Sequence, residues 1–98
     1  MSGSLTTGAP LDARRRRIVF RAHHRGMLEM DIIFGRFVDA EIAALDDGEL
    51  DDLEVLLDEP DRDVLSWVTG EEKTPARHDT PVFQKILRFH THVRPLHE

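Results

Sequence analysis

The chain has 98 residues, of which 40% are hydrophobic and 33% are charged, as expected for one domain with a modest core and a strongly charged surface. It contains no cysteine, which excludes disulfides, thiolate metal sites and a cysteine nucleophile. No apolar run approaches the roughly 20 residues that cross a bilayer, and the first residues lack the apolar stretch of a secretory signal, so neither membrane insertion nor secretion is predicted.

Charge is distributed unevenly along the chain. Residues 1–26 carry six arginines and one aspartate, a net charge of +5, whereas the residues from Met27 onward carry seven basic and 18 acidic side chains, a net charge of -11. A basic front and an acidic body favour an oriented encounter with a partner of complementary charge.

The first half of the chain predicts a tail and two helices. Residues 1–10 are small, polar and rich in Gly, Ser and Thr, which predicts a flexible tail before a helical domain of residues 11–98. The first helix is predicted from Leu11 or Asp12 to about Arg25, with Gly26 as its interruption. Its helical spacing rests on Leu11, Arg15, Ile18 and Ala22. The second helix is predicted between Leu28 and Leu45, where apolar residues recur with a period near 3.6.

The second half predicts three short helices from their start signals. Asp46 with Glu49 three residues later has the pattern of a capping box, with Asp in place of Ser or Thr. Pro60 is expected in the first turn of the fourth helix, which Gly70 ends. Residues 71–79 are predicted to be a loop. The fifth helix is predicted to start with Thr80 as its cap and Pro81 as its first residue, and to stop at Pro95.

These elements predict an all-α fold, a compact single-domain bundle of five short helices. Runs of alternating β-branched residues, which would predict strands, are lacking. The large side chains expected in the core are Phe34, Phe37, Leu53, Leu56, Trp67, Phe83 and Ile86.

Candidates for catalysis or metal binding are weak in this sequence. His23 and His24 are helix neighbours and point about 100° apart, which is poor geometry for one shared metal. His90, His92 and His97 lie near the C-terminus and could form at most an adventitious site. The acidic residues between Asp46 and Glu54 lack the spacing of a calcium loop and fit helix capping and a solvated face. We therefore predict no catalytic residue and no metal site.

The arginine run, Arg14 to Arg17, permits a second interpretation. A basic helix can neutralise phosphates without reading bases, so a small regulatory module that binds nucleic acid is the alternative function. Against it stand the acidic remainder of the chain and the scarcity of aromatic residues near the run, where Phe20 is the exception. A third interpretation is that these arginines pair with carboxylates or simply solvate the first helix.

The most informative stretch is Arg25-Gly26-Met27-Leu28-Glu29-Met30-Asp31. A glycine between two helical patterns permits a positive φ and lets another backbone approach closely. The spacing could bring Arg25 and Glu29 to one side of this corner. The alternative is a glycine that merely ends a helix, followed by an acidic first turn and an ordinary ion pair.

Arg25-Gly26-x-x-Glu29, at the junction of two helices in a chain of this length, resembles the RGxxE motif of the succinate dehydrogenase FAD assembly factor family. Members follow the glutamate with an apolar residue and an aspartate, as Met30 and Asp31 do here. The similarity continues in the acidic turn Asp58-Glu59-Pro60-Asp61 and in Val64-Leu65-Ser66-Trp67, and it spans about residues 14–93. His23 and His24 and the histidine-rich end depart from the family pattern.

The resemblance implies a five-helix protein, not an enzyme, that binds the flavoprotein subunit of succinate dehydrogenase and, in some bacteria, of fumarate reductase. It would promote covalent attachment of FAD to a histidine of that client, so FAD belongs to the client and no cofactor is stably bound here. The implied partner-binding residues are Arg21, Arg25, Gly26, Met27, Glu29 and Asp31. A free monomer in the bacterial cytoplasm is expected, with the mitochondrial matrix as the alternative compartment.

Overall fold

A computed structural model describes residues 10–93, with the side chains of residues 91–93 excepted. Across that range the backbone forms five α-helices and two short 3-10 helices, without a β-strand, which confirms the all-α prediction. The predicted tail, apart from Pro10, lies outside the described residues, as do Pro95, His97 and the side chain of His92. The contacts group into two units that divide between Leu45 and Asp46.

The first unit begins with helix α1, Ala13–His23. Asp12 is its N-cap, because Asp12 Oδ1 accepts a hydrogen bond from the backbone N–H of Arg15 at 2.8 Å. That bond, strengthened by the Arg15 side chain, lowers the pKa of the Asp12 carboxyl. Ile18 and Ala22 form the buried side of α1, on the face that the spacing predicts.

Helix α2, Leu28–Glu41, is followed by a 3-10 turn, Ile42–Ala44. The predicted helix extended to Leu45, so the α-helical part is shorter than expected. The reason is the next helix start: Leu45 is extended, with ψ of 138°, so that Asp46 can take the extended backbone of an N-cap. The chain tightens into 3-10 geometry to make that change of direction.

Arg15 connects α1 to this turn. Its Nε donates to the carbonyl of Ile42 at 2.9 Å and its Nη2 to the carbonyl of Leu45 at 2.5 Å. The Ile42 carbonyl also accepts the Leu45 N–H, at 3.4 Å. Carbonyls at a helix end have few partners within the helix, and the fork of a guanidinium can reach two of them at once. One arginine of the basic run therefore serves the fold of its own unit.

The second unit contains α3, Asp47–Leu57, α4, Asp61–Val68, and α5, Pro81–Val93. Asp46 and Glu49 form the predicted capping box in both directions, at 2.8 and 3.0 Å. Glu49 also holds Lys85 of α5 at 2.5 Å. The hydrogen bonds from Lys85 and from the Asp46 backbone lower the pKa of the Glu49 carboxyl.

The other start and stop signals that fall within residues 10–93 also hold, with one shift. Pro60 is the N-cap of α4, one position before the predicted first turn, where its missing N–H has no helical partner to lose. Gly70 has a φ of +82° after the end of α4. Thr80 Oγ1 accepts from the backbone N–H of Phe83 at 3.2 Å and so caps α5. The predicted loop of residues 71–79 includes the 3-10 turn Ala76–His78.

The residues predicted for the core are all buried, among them Trp67 at 7% exposure. They are Phe34 and Phe37 in the first unit and Leu53, Leu56, Trp67, Phe83 and Ile86 in the second. His90 of α5 is half-buried.

Candidate functional site

The corner between α1 and α2 is built around Gly26. Helix α1 ends at His23, and α2 begins at Leu28 after the extended residue Met27. Gly26 has a φ of +96°, a conformation that costs other residues about 1–2 kcal/mol. An added Cβ would meet no atom within 4 Å, and Gly26 is exposed. The glycine is therefore required by the backbone conformation, and the space above it is open to a partner.

Asp31 holds the corner from the inside. Its Oδ1 accepts a hydrogen bond from the backbone N–H of Arg25 at 2.7 Å, while its own N–H donates to the carbonyl of Met27 at 2.9 Å. Met27 supplies no side-chain cap. The half-buried Asp31 thus holds the backbone on both sides of Gly26, with its carboxylate on the Arg25 side and its backbone N–H on the Met27 side. The structure gives this predicted site residue a positioning role.

Arg25 lies over an aromatic ring of the core. Its guanidinium carbon is 5.4 Å from the ring centroid of Phe34, which is within the range of a cation–π interaction. Phe34 is fully buried and Arg25 half-buried. Packing on Phe34 restricts the long Arg25 side chain, so its charged end remains beside the corner.

The other predicted site residues differ in their access to solvent. Glu29 is exposed in the first turn of α2, where the helix dipole favours a carboxylate. Met27 and Arg21 are half-buried, and Arg21 is in the last turn of α1. Gly26 and Glu29 are therefore exposed to solvent, whereas Asp31 and Arg25 are half-buried.

Two exposed hydrophobic side chains near the corner were missed from the sequence. Leu28 is 71% exposed and Phe20 is 63% exposed. Leu28 falls outside the buried series of α2, which begins at Met30, and this departure from the periodicity was the signal that could have revealed it. Large apolar side chains left in water beside an open glycine are typical of a surface that contacts a partner.

The adjacent histidines have separate contacts, as their 100° offset predicts. His23 Nε2 lies 2.9 Å from Asp39 Oδ1, and its ring covers Gly35, where an added Cβ would come within 2.7 Å of His23 Cε1. His24 stacks on Phe20 with ring centroids 4.0 Å apart. In the described residues no three histidine or acidic side chains are grouped as a metal would require.

The acidic turn before α4 has a structural role in the second unit. Glu59 Oε2 accepts hydrogen bonds from His78 Nε2 at 2.6 Å and from Arg77 Nη2 at 3.0 Å. The bond from His78, followed by that from Arg77, lowers the pKa of the Glu59 carboxyl. His78 is 1% exposed and lies 5.3 Å from Trp67, measured between ring centroids. Glu59 thus anchors the loop before α5.

The corner offers binding chemistry. Its exposed elements are a glycine without a side chain, a carboxylate and a large aliphatic group, and its arginine is held at one edge. Such a set can receive a partner backbone closely and form charge-assisted hydrogen bonds at the edges.

None of the described helices has the length and apolarity to cross a membrane.

Comparison with known proteins gives a consistent result. The family model described as flavinator of succinate dehydrogenase matches residues 16–90. A FAD assembly factor from Acetobacter pasteurianus is 40% identical over 77 residues, which are 79% of this chain and 71% of that protein. The mitochondrial succinate dehydrogenase assembly factor 2 of Debaryomyces hansenii is 40% identical over 83 residues, or 85% of this chain. That of Dictyostelium discoideum is 30% identical over 86 residues, or 88% of this chain.

The aligned segments make up 58% and 60% of the two mitochondrial relatives, so this chain spans less than two thirds of their length. The match to the family model, in contrast, includes the Gly26 corner, α2, α3, α4 and most of α1 and α5. On that match, and on the identity to the bacterial relative, the chain belongs to the family of flavinators of succinate dehydrogenase.

Proposed function

We propose that this chain is an assembly factor that binds the flavoprotein subunit of succinate dehydrogenase and promotes covalent attachment of FAD to it. The observation that carries the proposal is the Arg25–Glu29 corner in a chain that belongs to the flavinator family. Its exposed glycine has a positive φ, and the preceding Arg25 is bonded through its backbone to Asp31 and lies over the Phe34 ring. The names of the relatives, FAD assembly factor and succinate dehydrogenase assembly factor, support the same role.

In this proposal the chain is not an enzyme and holds no FAD of its own. The client supplies the flavin, the histidine that receives it and the bond-forming chemistry, and the chain stabilises a client conformation in which that bond forms. The fumarate reductase flavoprotein is a second client in this proposal. We also propose that the free chain is a monomer and that it is located in the bacterial cytoplasm, with the mitochondrial matrix as the alternative.

Each corner residue has a distinct role in this proposal. Gly26 allows the client backbone to come closer than any side chain would permit. Arg25 and Glu29 form charge-assisted hydrogen bonds across the interface, with Arg21 and Met27 at its border. Asp31 acts from within, because its bond to the Arg25 backbone keeps the glycine in its conformation.

The function is tested with covalent flavin fluorescence of the flavoprotein subunit in a denaturing gel. In cells that lack the gene for this chain, the fluorescent band of the subunit should be lost, and expression of the wild-type chain should restore it. An unchanged band in the deletion strain would reject the proposal.

The site is tested with two glycine substitutions. Gly26 and Gly70 both have positive φ, +96° and +82°, and an added Cβ meets no atom within 4 Å at either position. Gly26→Arg and Gly70→Arg should therefore lose similar stability, on the order of 1–2 kcal/mol. Only Gly26→Arg should lose affinity for the purified flavoprotein subunit. Equal losses of affinity would show that backbone strain, and not the corner surface, causes the defect.

A further inference from the structure

The side of α1 that faces away from its buried residues carries a distinct chemistry. Ile18 and Ala22 are buried at 1% and 0% exposure, whereas Arg16, Arg17 and Phe20 are exposed. Arg17 and Arg16 precede Phe20 by three and four positions, so each of them neighbours Phe20 on the helix surface. His24, just past the helix end, extends the row by four positions. We call Arg16, Arg17, Phe20 and His24 the outer face of α1.

The centre of the outer face is an ordered pair of rings. Phe20 and His24 stack at 4.0 Å with an interplanar angle of 18°, and His24 Nδ1 lies 2.7 Å from the carbonyl oxygen of Phe20. Because a carbonyl only accepts, Nδ1 is the donor of this bond and carries the proton. The bond keeps the imidazole on the phenyl ring. A large apolar surface that is already held in one conformation loses little entropy on binding.

Positive charge surrounds this ring pair. Helix α1 contains no acidic residue, and four of its eleven residues in Ala13–His23 form the run Arg14 to Arg17. Arg15 is used within the unit, in its bonds to Ile42 and Leu45. Arg16 and Arg17 are exposed, and the bond from Arg16 Nη1 to the carbonyl of Leu11, at 2.5 Å, is itself at the surface. Their positive charge therefore faces solvent. An aromatic side chain bordered by arginines has the composition of residues that dominate binding energy in protein interfaces.

The geometry points to the outer face of α1 as a docking surface for an acidic segment of the client flavoprotein, with an apolar client side chain placed on the Phe20–His24 pair. Charge complementarity selects the occupant: an exposed positive face on a chain whose remainder has a net charge of -11 attracts an acidic segment and orients the chain as it approaches. This inference rests on the proposed function and adds a second contact region to the Gly26 corner.

Nucleic acid fits the same face less well. Binding of single strands uses aromatic rings whose faces are free for successive bases. Here His24 covers one face of the Phe20 ring. The acidic remainder of the chain would also repel a phosphate backbone. A folded protein surface needs neither a free ring face nor a fully basic chain.

The test measures association and dissociation of the full chain and the purified flavoprotein subunit at low and high salt. Arg16→Glu/Arg17→Glu should slow association about tenfold or more at low salt, and the difference should shrink as salt screens the charges. Phe20→Ala should weaken affinity about tenfold, mainly through faster dissociation, with little salt dependence. Both variants should keep the wild-type melting temperature, since all three side chains are exposed.

Matched controls come from the second unit. Arg62 is an exposed helical arginine and Val55 an exposed helical hydrophobic residue at 54%. Arg62→Glu and Val55→Ala should leave affinity and both rate constants within twofold of wild type. If these controls weaken binding as much as the outer-face variants do, general charge and hydrophobicity explain the effect, and the inference is wrong.

The remaining outcomes separate this inference from the proposed function. If the wild-type chain binds the flavoprotein subunit and the outer-face variants bind equally well, the docking surface is rejected while the proposed function stands. If the wild-type chain does not bind the subunit, the proposed function fails first. A third outcome would assign the face to nucleic acid and overturn the inference. In that outcome the wild-type chain binds a short DNA or RNA probe with steep salt dependence, and Arg16→Glu/Arg17→Glu loses this binding while its client binding is unchanged.

Discussion

Replacing Arg15 by alanine should destabilise the protein far more than any other change in the arginine run. The substitution removes the donors that reach Ile42 and Leu45 at 2.9 and 2.5 Å. Hydrogen bonds from a charged group contribute about 1.5–3 kcal/mol each. Because the Arg15 side chain is still 19% exposed, water can reach the two carbonyls in the variant and replace part of the lost hydrogen bonding. We expect a loss of roughly 2–4 kcal/mol, to which the exposed pair with Asp12 adds about 0–1 kcal/mol.

Urea unfolding followed by far-ultraviolet circular dichroism measures this loss, and thermal melting checks it. In a domain of this size 1 kcal/mol corresponds to about 4–8 °C, so the melting temperature should fall by roughly 10–25 °C. Arg17→Ala, on the exposed side of the same helix, is the matched control and should stay within about 0.5 kcal/mol of wild type. Arg15→Lys should be intermediate, because a lysine keeps the charge but lacks the fork that serves both carbonyls. Equal stability of Arg15→Ala and Arg17→Ala would refute the assignment of Arg15 to the fold.

Three further predictions concern other contacts within the units. Trp67→Ala should cost about 3–5 kcal/mol, because the side chain is 7% exposed; an unchanged thermal melt would contradict its burial. The His78 hydrogen bond lowers the pKa of Glu59, so the stabilisation of the folded state by the ionised Glu59 carboxylate is present above the ordinary carboxyl pKa and is lost as pH falls through the lowered value. Glu59→Gln should therefore flatten the acid side of a stability–pH profile. An unaltered slope would count against the pair. Gly35→Ala brings a Cβ within 2.7 Å of the His23 ring. In a double-mutant cycle Gly35→Ala should therefore be better tolerated together with His23→Ala, where the clash is absent and the helix propensity of alanine can contribute about 0.5–1 kcal/mol. Additive effects of the two substitutions would show that the ring moves aside freely.

Local signals allowed much of the fold to be predicted from the sequence. The capping box of Asp46 and Glu49, the Thr80 cap and the positive φ of Gly26 each depend on residues within a few positions of one another. Helical periodicity likewise identified the buried side of α2, because a buried face repeats along the chain. In these places propensity, capping and packing favour the same structure.

The contacts that could not be predicted join residues distant in the sequence. Arg15 bonds to carbonyls 27 and 30 positions away, and the Glu59 bond to His78 spans 19 positions. In both cases the sequence shows only a charged residue, whose partner depends on which chain segments the fold brings together. The same reason explains why the arginine run resembled a phosphate-binding helix: spacing alone does not distinguish Arg15, which supports the fold, from Arg16 and Arg17, which are exposed.

The corner was predicted in part. A glycine at this junction permits a positive φ, and Gly26 adopts one; Arg25 and Glu29 were predicted to be site residues from the motif. The inward role of Asp31 follows from its bond to the Arg25 backbone, and the sequence held no sign of it beyond its place in the motif. The exposure of Phe20 and Leu28 was not predicted, because a hydrophobic residue in an amphipathic helix is ordinarily assigned to the core.

The most direct measurement complements the deletion strain with wild type, Gly26→Arg or Gly70→Arg and follows covalent flavin fluorescence of the succinate dehydrogenase flavoprotein in a denaturing gel. Circular dichroism of each purified variant confirms that it is folded. The band should return with wild type and with Gly70→Arg and remain absent with folded Gly26→Arg. A band restored fully by Gly26→Arg would contradict the assignment of flavoprotein assembly to the Arg25–Glu29 corner.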